Sequence, residues 1–165
     1  MPHIHQAVLI ASSAEEVYKA ITSQEGLSSW WTPKATAEAR VNSIAHFPFG
    51  PNYHKEMKIT ALESNQLVQW DCIHGAEEWI GTNISFTLIA GEHEIFQNQY
   101  PEIQGQLEQL KSKSGTVLIF HHDNWREDSL MFAECSYTWG QFLKSLKLYC
   151  ETGKGRPWPT QHQSL

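Results

Sequence analysis

Cysteine is scarce, charge is thin, and long apolar runs are missing. The three cysteines, Cys72, Cys135 and Cys150, form no close pair and no CxxC. Neither a disulfide framework nor a thiolate metal knuckle is therefore written into the chain, and a reducing cytoplasm is the expected setting. No apolar stretch approaches the roughly 20 residues that cross a bilayer, and no charged-then-apolar leader opens the chain, so no membrane partner is expected. Twelve basic against eighteen acidic residues leave a net charge of -6. Phosphate backbones require a basic stripe, and the nearest approach is Lys144, Lys147, Lys154 and Arg156; nucleic acid is not an expected partner. Gly-rich phosphate loops, nucleophile elbows and HExxH are also missing. Charged residues amount to only 18% and hydrophobic ones to 41%, which speaks against disorder and coiled coil.

Aromatic side chains are what the sequence has in quantity: seven Trp, seven Phe and five Tyr in 165 residues. That length suits one domain spanning 1–165, able to bury about 70% of its unfolded surface without staples. Ile4–Ile10 reads as a strand with apolar residues on both faces. Ser12 with Glu15 and Ser13 with Glu16 form two overlapping capping boxes ahead of a short helix running to Thr22. A second helical turn, 24–30, breaks at Pro33. Strands follow at 43–49, 54–62 and 67–73, and at Ile80–Leu88 with Ile80, Ile84, Phe86 and Leu88 inward. In 54–62, Met57, Ile59 and Ala61 oppose Glu56, Lys58 and Thr60. Residues 90–114 form a polar, Gln-rich excursion with a helix expected over 102–111, before a strand at 117–122. Residues 127–151 carry a long apolar helical stripe that includes Phe132, Cys135, Trp139, Phe142, Leu146 and Cys150, stopped by Gly153. The order predicts an α+β fold in which a curved antiparallel sheet wraps the terminal helix.

The run Ile10-Ala11-Ser12-Ser13-Ala14-Glu15-Glu16-Val17-Tyr18, followed by Leu27-Ser28-Ser29-Trp30-Trp31-Thr32-Pro33, resembles the opening of the START-like (SRPBCC) superfamily. The closing run Trp139-Gly140-Gln141-Phe142-Leu143, ending in Thr152-Gly153-Lys154-Gly155, is similar to the branch typified by the C-terminal domain of the activator of Hsp90 ATPase. Tyr18 stands where Trp is common, and Ser12-Ser13 replace a proline-containing helix start. The resemblance implies a helix-grip fold of six or seven strands, with 35–40 supplying the seventh, and a cavity between sheet and helix.

Candidate cavity-lining residues are Trp31, Phe47, Trp70, Trp79, Phe86, Phe120, Phe132 and Trp139. Trp30 and Trp31, about 100° apart on a helix, are expected to divide between the core and its rim. His121 and His122 point to opposite sheet faces. His46 and His54 flank a turn and can meet across a hairpin, but no spacing fixes His74 or any other third ligand, so no metal site is expected. Glu56, Asp71, Glu77, Glu78, Asp123 and Glu134 are read as solvated charge, and no catalytic residue or cofactor is assigned. The leading functional expectation is a domain that binds a small hydrophobic ligand. The alternatives are a cofactor-free cyclase, hydratase or hydrolase, as the superfamily implies, and a chaperone-linked interaction domain. Self-association through an edge strand and exposed aromatics is open.

Overall fold

The computed structural model describes residues 1–163; the last two residues of the 1–165 span lie outside them. Six strands form one antiparallel sheet: β1 (Ile4–Ile10), β2 (Ile44–Pro48), β3 (His54–Glu63), β4 (Leu67–His74), β5 (Asn83–Glu92) and β6 (Ser114–Asp123), in the order β1-β6-β5-β4-β3-β2. Five α-helices accompany it: α1 (Ala14–Thr22), α2 (Gln24–Trp30), α3 (His93–Gln99), α4 (Gln104–Leu107) and the long α5 (Leu130–Thr152). The sheet curves around α5 with α1 and α2 against it, the α+β helix-grip arrangement that the pattern predicts.

Of the two capping boxes, Ser13 is the one used. Its Oγ accepts from Glu16 N at 3.1 Å, while the carbonyl of Ser12 accepts instead from Thr116 Oγ1 at 2.8 Å. Ser23 ends α1 and starts α2, donating to Lys19 O at 2.7 Å and accepting from Gly26 N at 3.0 Å. A Cβ on Gly26 would lie 2.5 Å from Ala20 O, so the two helices meet backbone to backbone.

Three local expectations change. β5 begins at Asn83, and Ile80 is 41% exposed. The reason is a turn over 75–82: Gly75 (φ 148°) and Gly81 (φ 92°) adopt left-handed backbone, and Thr82 Oγ1 donates to Trp79 O at 2.6 Å. Residues 35–40 contribute one bridge, Thr36 with His46, rather than a seventh strand. The long helix starts at Leu130 because Ser129 Oγ accepts from Phe132 N at 3.1 Å; its end at Gly153 (φ 85°) is where the sequence places it.

The excursion is not one helix over 102–111. It comprises α3, a 3₁₀ turn at Pro101–Ile103 and α4. Phe96 and Leu107 are buried against Leu9 and Val117, forming a second apolar cluster on the outer face of the sheet. One of its glutamines has a specific use: Gln106 Oε1 accepts from Leu9 N at 2.8 Å and Gln106 Nε2 donates to Ala7 O at 3.1 Å. Lys147 Nζ donates to Leu9 O at 2.7 Å, and Glu151 accepts from Ala11 N at 2.7 Å. The free edge of β1 is thus occupied by side chains, which blocks it as a template for another strand.

Beyond α5 the chain returns across α2. Ser145 Oγ donates to Trp30 O and accepts from Arg156 N, both at 2.7 Å, and Trp158 N donates to Trp31 O at 2.7 Å. A Cβ on Gly155 would lie 2.6 Å from Ser29 O and 3.1 Å from Ser145 O. This close passage gives the final glycine of Thr-Gly-Lys-Gly its physical role. Gly155→Ala is expected to lower stability by about 1–3 kcal/mol through overpacking, measured by urea unfolding; an unchanged midpoint would show that the tail does not need this approach.

Candidate functional site

A pocket of about 600 Å³ lies between β3, the 75–82 turn, α5 and the C-terminal tail, within the range of about 300–1,000 Å³ typical of ligand sites. Trp31, Phe49, Tyr53, Trp79, Trp139, Phe142 and Trp158 give it aromatic walls. Trp31 is the hub: its ring centroid lies 4.4 Å from Phe47, 5.2 Å from Trp139, 5.6 Å from Phe49 and 5.9 Å from Trp70. Trp30 and Trp31 do not divide between core and rim. Both are buried, with stacked rings 6.1 Å apart. Trp31 caps α2 with right-handed backbone (φ -104°, ψ -66°), and it is buried because the C-terminal tail passes over it, Trp158 N donating to Trp31 O.

Two charged side chains border the pocket: Glu134, exposed on α5, and Lys55, which reaches inside the aromatic surround. Alternation along β3 sends Lys55 inward with Met57 and Ile59, while His54 and Lys58 face water. Lys55 is 9% exposed. Its Nζ lies 3.9 Å from the ring centroid of Phe49, 4.5 Å from Trp79 and 4.8 Å from Tyr53. Among the described residues no carboxylate forms an ion pair with it. Burial lowers its pKa to about 8, because removing an ammonium from water disfavours the charged form. The ring faces return part of that cost as cation–π attraction. Gln161 Oε1, also at the pocket, is buried with no hydrogen-bond partner among the described residues. Nearby, Cys135 Sγ accepts from Trp79 Nε1 at 3.3 Å. Burial raises the pKa of the Cys135 thiol and pushes Cys72 up to about 11, so both are protonated thiols near neutral pH.

Behind the aromatic wall, His122 is fully buried. Trp139 Nε1 donates to His122 Nδ1 at 3.1 Å, and His122 Nε2 meets Thr82 Oγ1 at 2.8 Å. With Nδ1 accepting, the neutral ring carries its proton on Nε2 and donates to Thr82, whose hydroxyl donates onward to Trp79 O. Burial first, and the Lys55 charge second, lower the His122 pKa to about 3.

Of the residues expected to line a cavity, Trp31, Trp79 and Trp139 border the pocket. Phe47, Trp70, Phe86 and Phe120 are buried in the core beneath it. Phe132 is half-buried against Trp125, ring centroids 5.4 Å apart. The wall also includes Lys55, Phe49, Tyr53, Trp158 and Gln161, and Glu134, one of the carboxylates read as solvated charge, borders it from α5. Strand parity was the available signal for Lys55, since it shares a face with Met57. His46 and His54 do meet across the hairpin, with ring centroids 6.2 Å apart, on the water-facing side of β2 and β3 away from the pocket.

A curved antiparallel sheet gripping a terminal helix, with an aromatic pocket between them, defines a START-like domain. The family model described as "Activator of Hsp90 ATPase homolog 1-like protein" matches residues 11–151, and the chain belongs to that family. An Aha1 from Colwellia psychrerythraea, solved in solution as a dimer, is 32% identical with a TM-score of 0.73, over 94% of this chain and 100% of that one. A Bacillus halodurans protein shares 16% identity at a TM-score of 0.67, over 92% of this chain and 98% of its own. A Mesorhizobium loti protein shares 16% at 0.66, over 88% and 94%. These two relationships carry the fold alone. No curated protein matches the chain.

The buried imidazole sets a pH dependence. With a folded pKa of about 3 against an unfolded value near 6.5, the unfolded chain binds the extra proton between those limits. The stabilising contribution is therefore complete above about pH 6.5 and is lost as pH falls toward 3, by up to about 1.4 kcal/mol per pH unit. Urea unfolding at pH 7.5, 6.0 and 5.0 is expected to show this slope, and a shallower one in His122→Gln. Equal slopes would show that His122 does not titrate differently in the folded chain.

Proposed function

We propose that this protein binds one small, largely aromatic molecule bearing an acidic group, held between the aromatic walls of the pocket and the Lys55 ammonium. The observation that carries this reading is a buried lysine among three rings with no carboxylate partner of its own. An isolated buried cation is costly to stability, and an anionic guest would supply the missing charge in a site where water screens it little. Gln161 Oε1 offers a second polar contact to a donor on the guest. Three free thiols fit a reducing compartment, and we place the activity in the cytoplasm; no described helix is long and apolar enough to cross a membrane.

An enzymatic reading rests on the same amine. With a pKa of about 8, Lys55 holds an appreciable neutral fraction near neutral pH, the form needed for a general base. The dimeric state of the Colwellia relative supports a homodimer here. The exposed side chains of Leu130 and Tyr137, 86% and 69% accessible on α5, are the surface we assign to it, since the β1 edge is occupied. Light scattering is expected to give twice the chain mass, and Leu130→Glu with Tyr137→Glu to halve it; a monomeric parent protein would refute the dimer.

The binding reading is tested with a matched pair of probes, 1-anilinonaphthalene-8-sulfonate and its neutral parent N-phenyl-1-naphthylamine. The sulfonate is expected to bind saturably at one site, and Lys55→Met to weaken it by roughly 10-fold while changing the neutral probe little. The same variant is expected to unfold at higher urea, with a gain of about 2 kcal/mol from removing the desolvated amine. Equal loss of both probes, or no binding of either, would refute Lys55 as the anionic contact.

A further inference from the structure

The outer face of β2, β3 and β4 carries a second concentration of chemistry, independent of the pocket. Glu56 stands in the middle strand, paired across the sheet with His46 on one side and His74 on the other. His54, two residues earlier in β3, shares the face of Glu56. The strand register thus brings three imidazoles around one carboxylate. His54 Nε2 lies 3.2 Å from Glu56 Oε2, His46 Nδ1 lies 3.9 Å from Glu56 Oε1, and His74 Nδ1 lies 3.9 Å from Glu56 Oε2. The His54 and His74 rings stack with centroids 4.5 Å apart. One donor atom from each of His46, His54 and Glu56 falls within 4.8 Å of the others.

These distances suit a borderline divalent cation. Zinc holds imidazole nitrogen and carboxylate oxygen at about 2.0–2.2 Å, so donors on a tetrahedron around it sit roughly 3.4 Å apart. The His54–Glu56 separation already matches that spacing, and His46 needs only a side-chain adjustment to reach it. His74 lies outside this convergent set, and its ring must turn out of its stack on His54 to serve as fourth donor. Nitrogen-rich sets of this kind favour zinc, nickel or copper over magnesium or calcium, which prefer oxygen ligands. Strand pairing fixes the backbones from which all four side chains project, and three of the donors already converge.

A second histidine group supplies an internal contrast. His5 and His121 stack with centroids 4.1 Å apart on the β1–β6 side, and Asp123 lies 3.0 Å from His3 and 3.8 Å from His121. Among the described residues, however, only His46, His54 and Glu56 converge as a set of three donor atoms. We propose that His46, His54 and Glu56, with His74 as fourth donor, form a binding site for a divalent transition metal of the zinc class on the outer face of the sheet. Such an ion joins β2, β3 and β4 at the end of the sheet that bears the Phe49–Tyr53 turn, and so fixes the strand from which Lys55 projects on the opposite side.

The test is zinc titration of chelator-treated full-length protein at pH 7.5, by calorimetry against a competing chelator. One equivalent is expected to bind. His54→Gln and Glu56→Gln are each expected to weaken it by roughly 10-fold or more, while His121→Gln leaves it unchanged. Zinc is also expected to raise the melting temperature of the parent protein, as binding to the folded state requires, but not that of the doubly substituted His46→Gln/His54→Gln chain. Circular dichroism without zinc checks that these exposed substitutions leave the fold intact. No saturable binding, or binding lost in His121→Gln and retained in His54→Gln, would overturn the proposal.

Discussion

The hydrogen bond from the indole of Trp139 to the neutral imidazole of His122 ties the two halves of the grip together. Trp139 belongs to α5 and His122 to the end of β6, next to Asp123, and their bond is buried at 3.1 Å. His122 passes the connection on through Thr82 to the carbonyl of Trp79. Helix, sheet and the 75–82 turn are thereby held by one buried polar chain. Such a network needs every member, because a buried donor or acceptor left alone costs about 1–3 kcal/mol. It also fixes the plane of Trp139, whose ring sits 4.5 Å from Phe120 and 5.2 Å from Trp31. The shape of the pocket wall follows from a hydrogen bond that lies outside it.

The pocket has a closed side and an adjustable side. Trp31 and Trp139 are buried and share neighbours in the core. Trp158, by contrast, is half-buried and reaches the pocket from the tail, held through main-chain bonds to Trp31 and, one turn away, through Ser145. The Thr-Gly-Lys-Gly exit therefore does more than end a helix. Gly153 reverses the chain and Gly155 lets it pass close to α2, which delivers Trp158 and Gln161 to a site otherwise built by residues 31–142.

Most of the fold was legible because periodicity reports it directly. Alternation marks β1 and β3, the three-and-four spacing marks α5, and the Ser13 and Gly153 signals mark their helix ends. Direction was legible where depth was not. Alternation places Phe47, Trp70, Phe86 and Phe120 on the inward face, but whether such a residue lies beneath the pocket or borders it depends on how far α5 extends over the sheet. The 100° spacing did not divide Trp30 and Trp31 between core and rim because α2 is covered on more than one side, by the core and by the returning tail that bonds Trp31 O. Lys55 was readable by parity with Met57. Trp158 and Gln161 were not, since the tail has no period, and the meeting of His74 with His54 and Glu56 depends on a strand register that includes an irregularity between Glu56 and Met57.

Residues 93–110 back only part of the sheet. Behind β1, β5 and β6 lie Phe96, Leu107 and their neighbours, so that region is three layers deep. Behind β2, β3 and β4 the outer side chains include His46, His54, Lys58 and His74, with water beyond them. In mechanical terms the sheet is a plate of two thicknesses. Bending the thick part would open a second packed core, a cost that the part backed by water does not carry. Lys55 projects from the thin part and Trp139 packs toward the thick one, so the two sides of the pocket rest on backings of different depth.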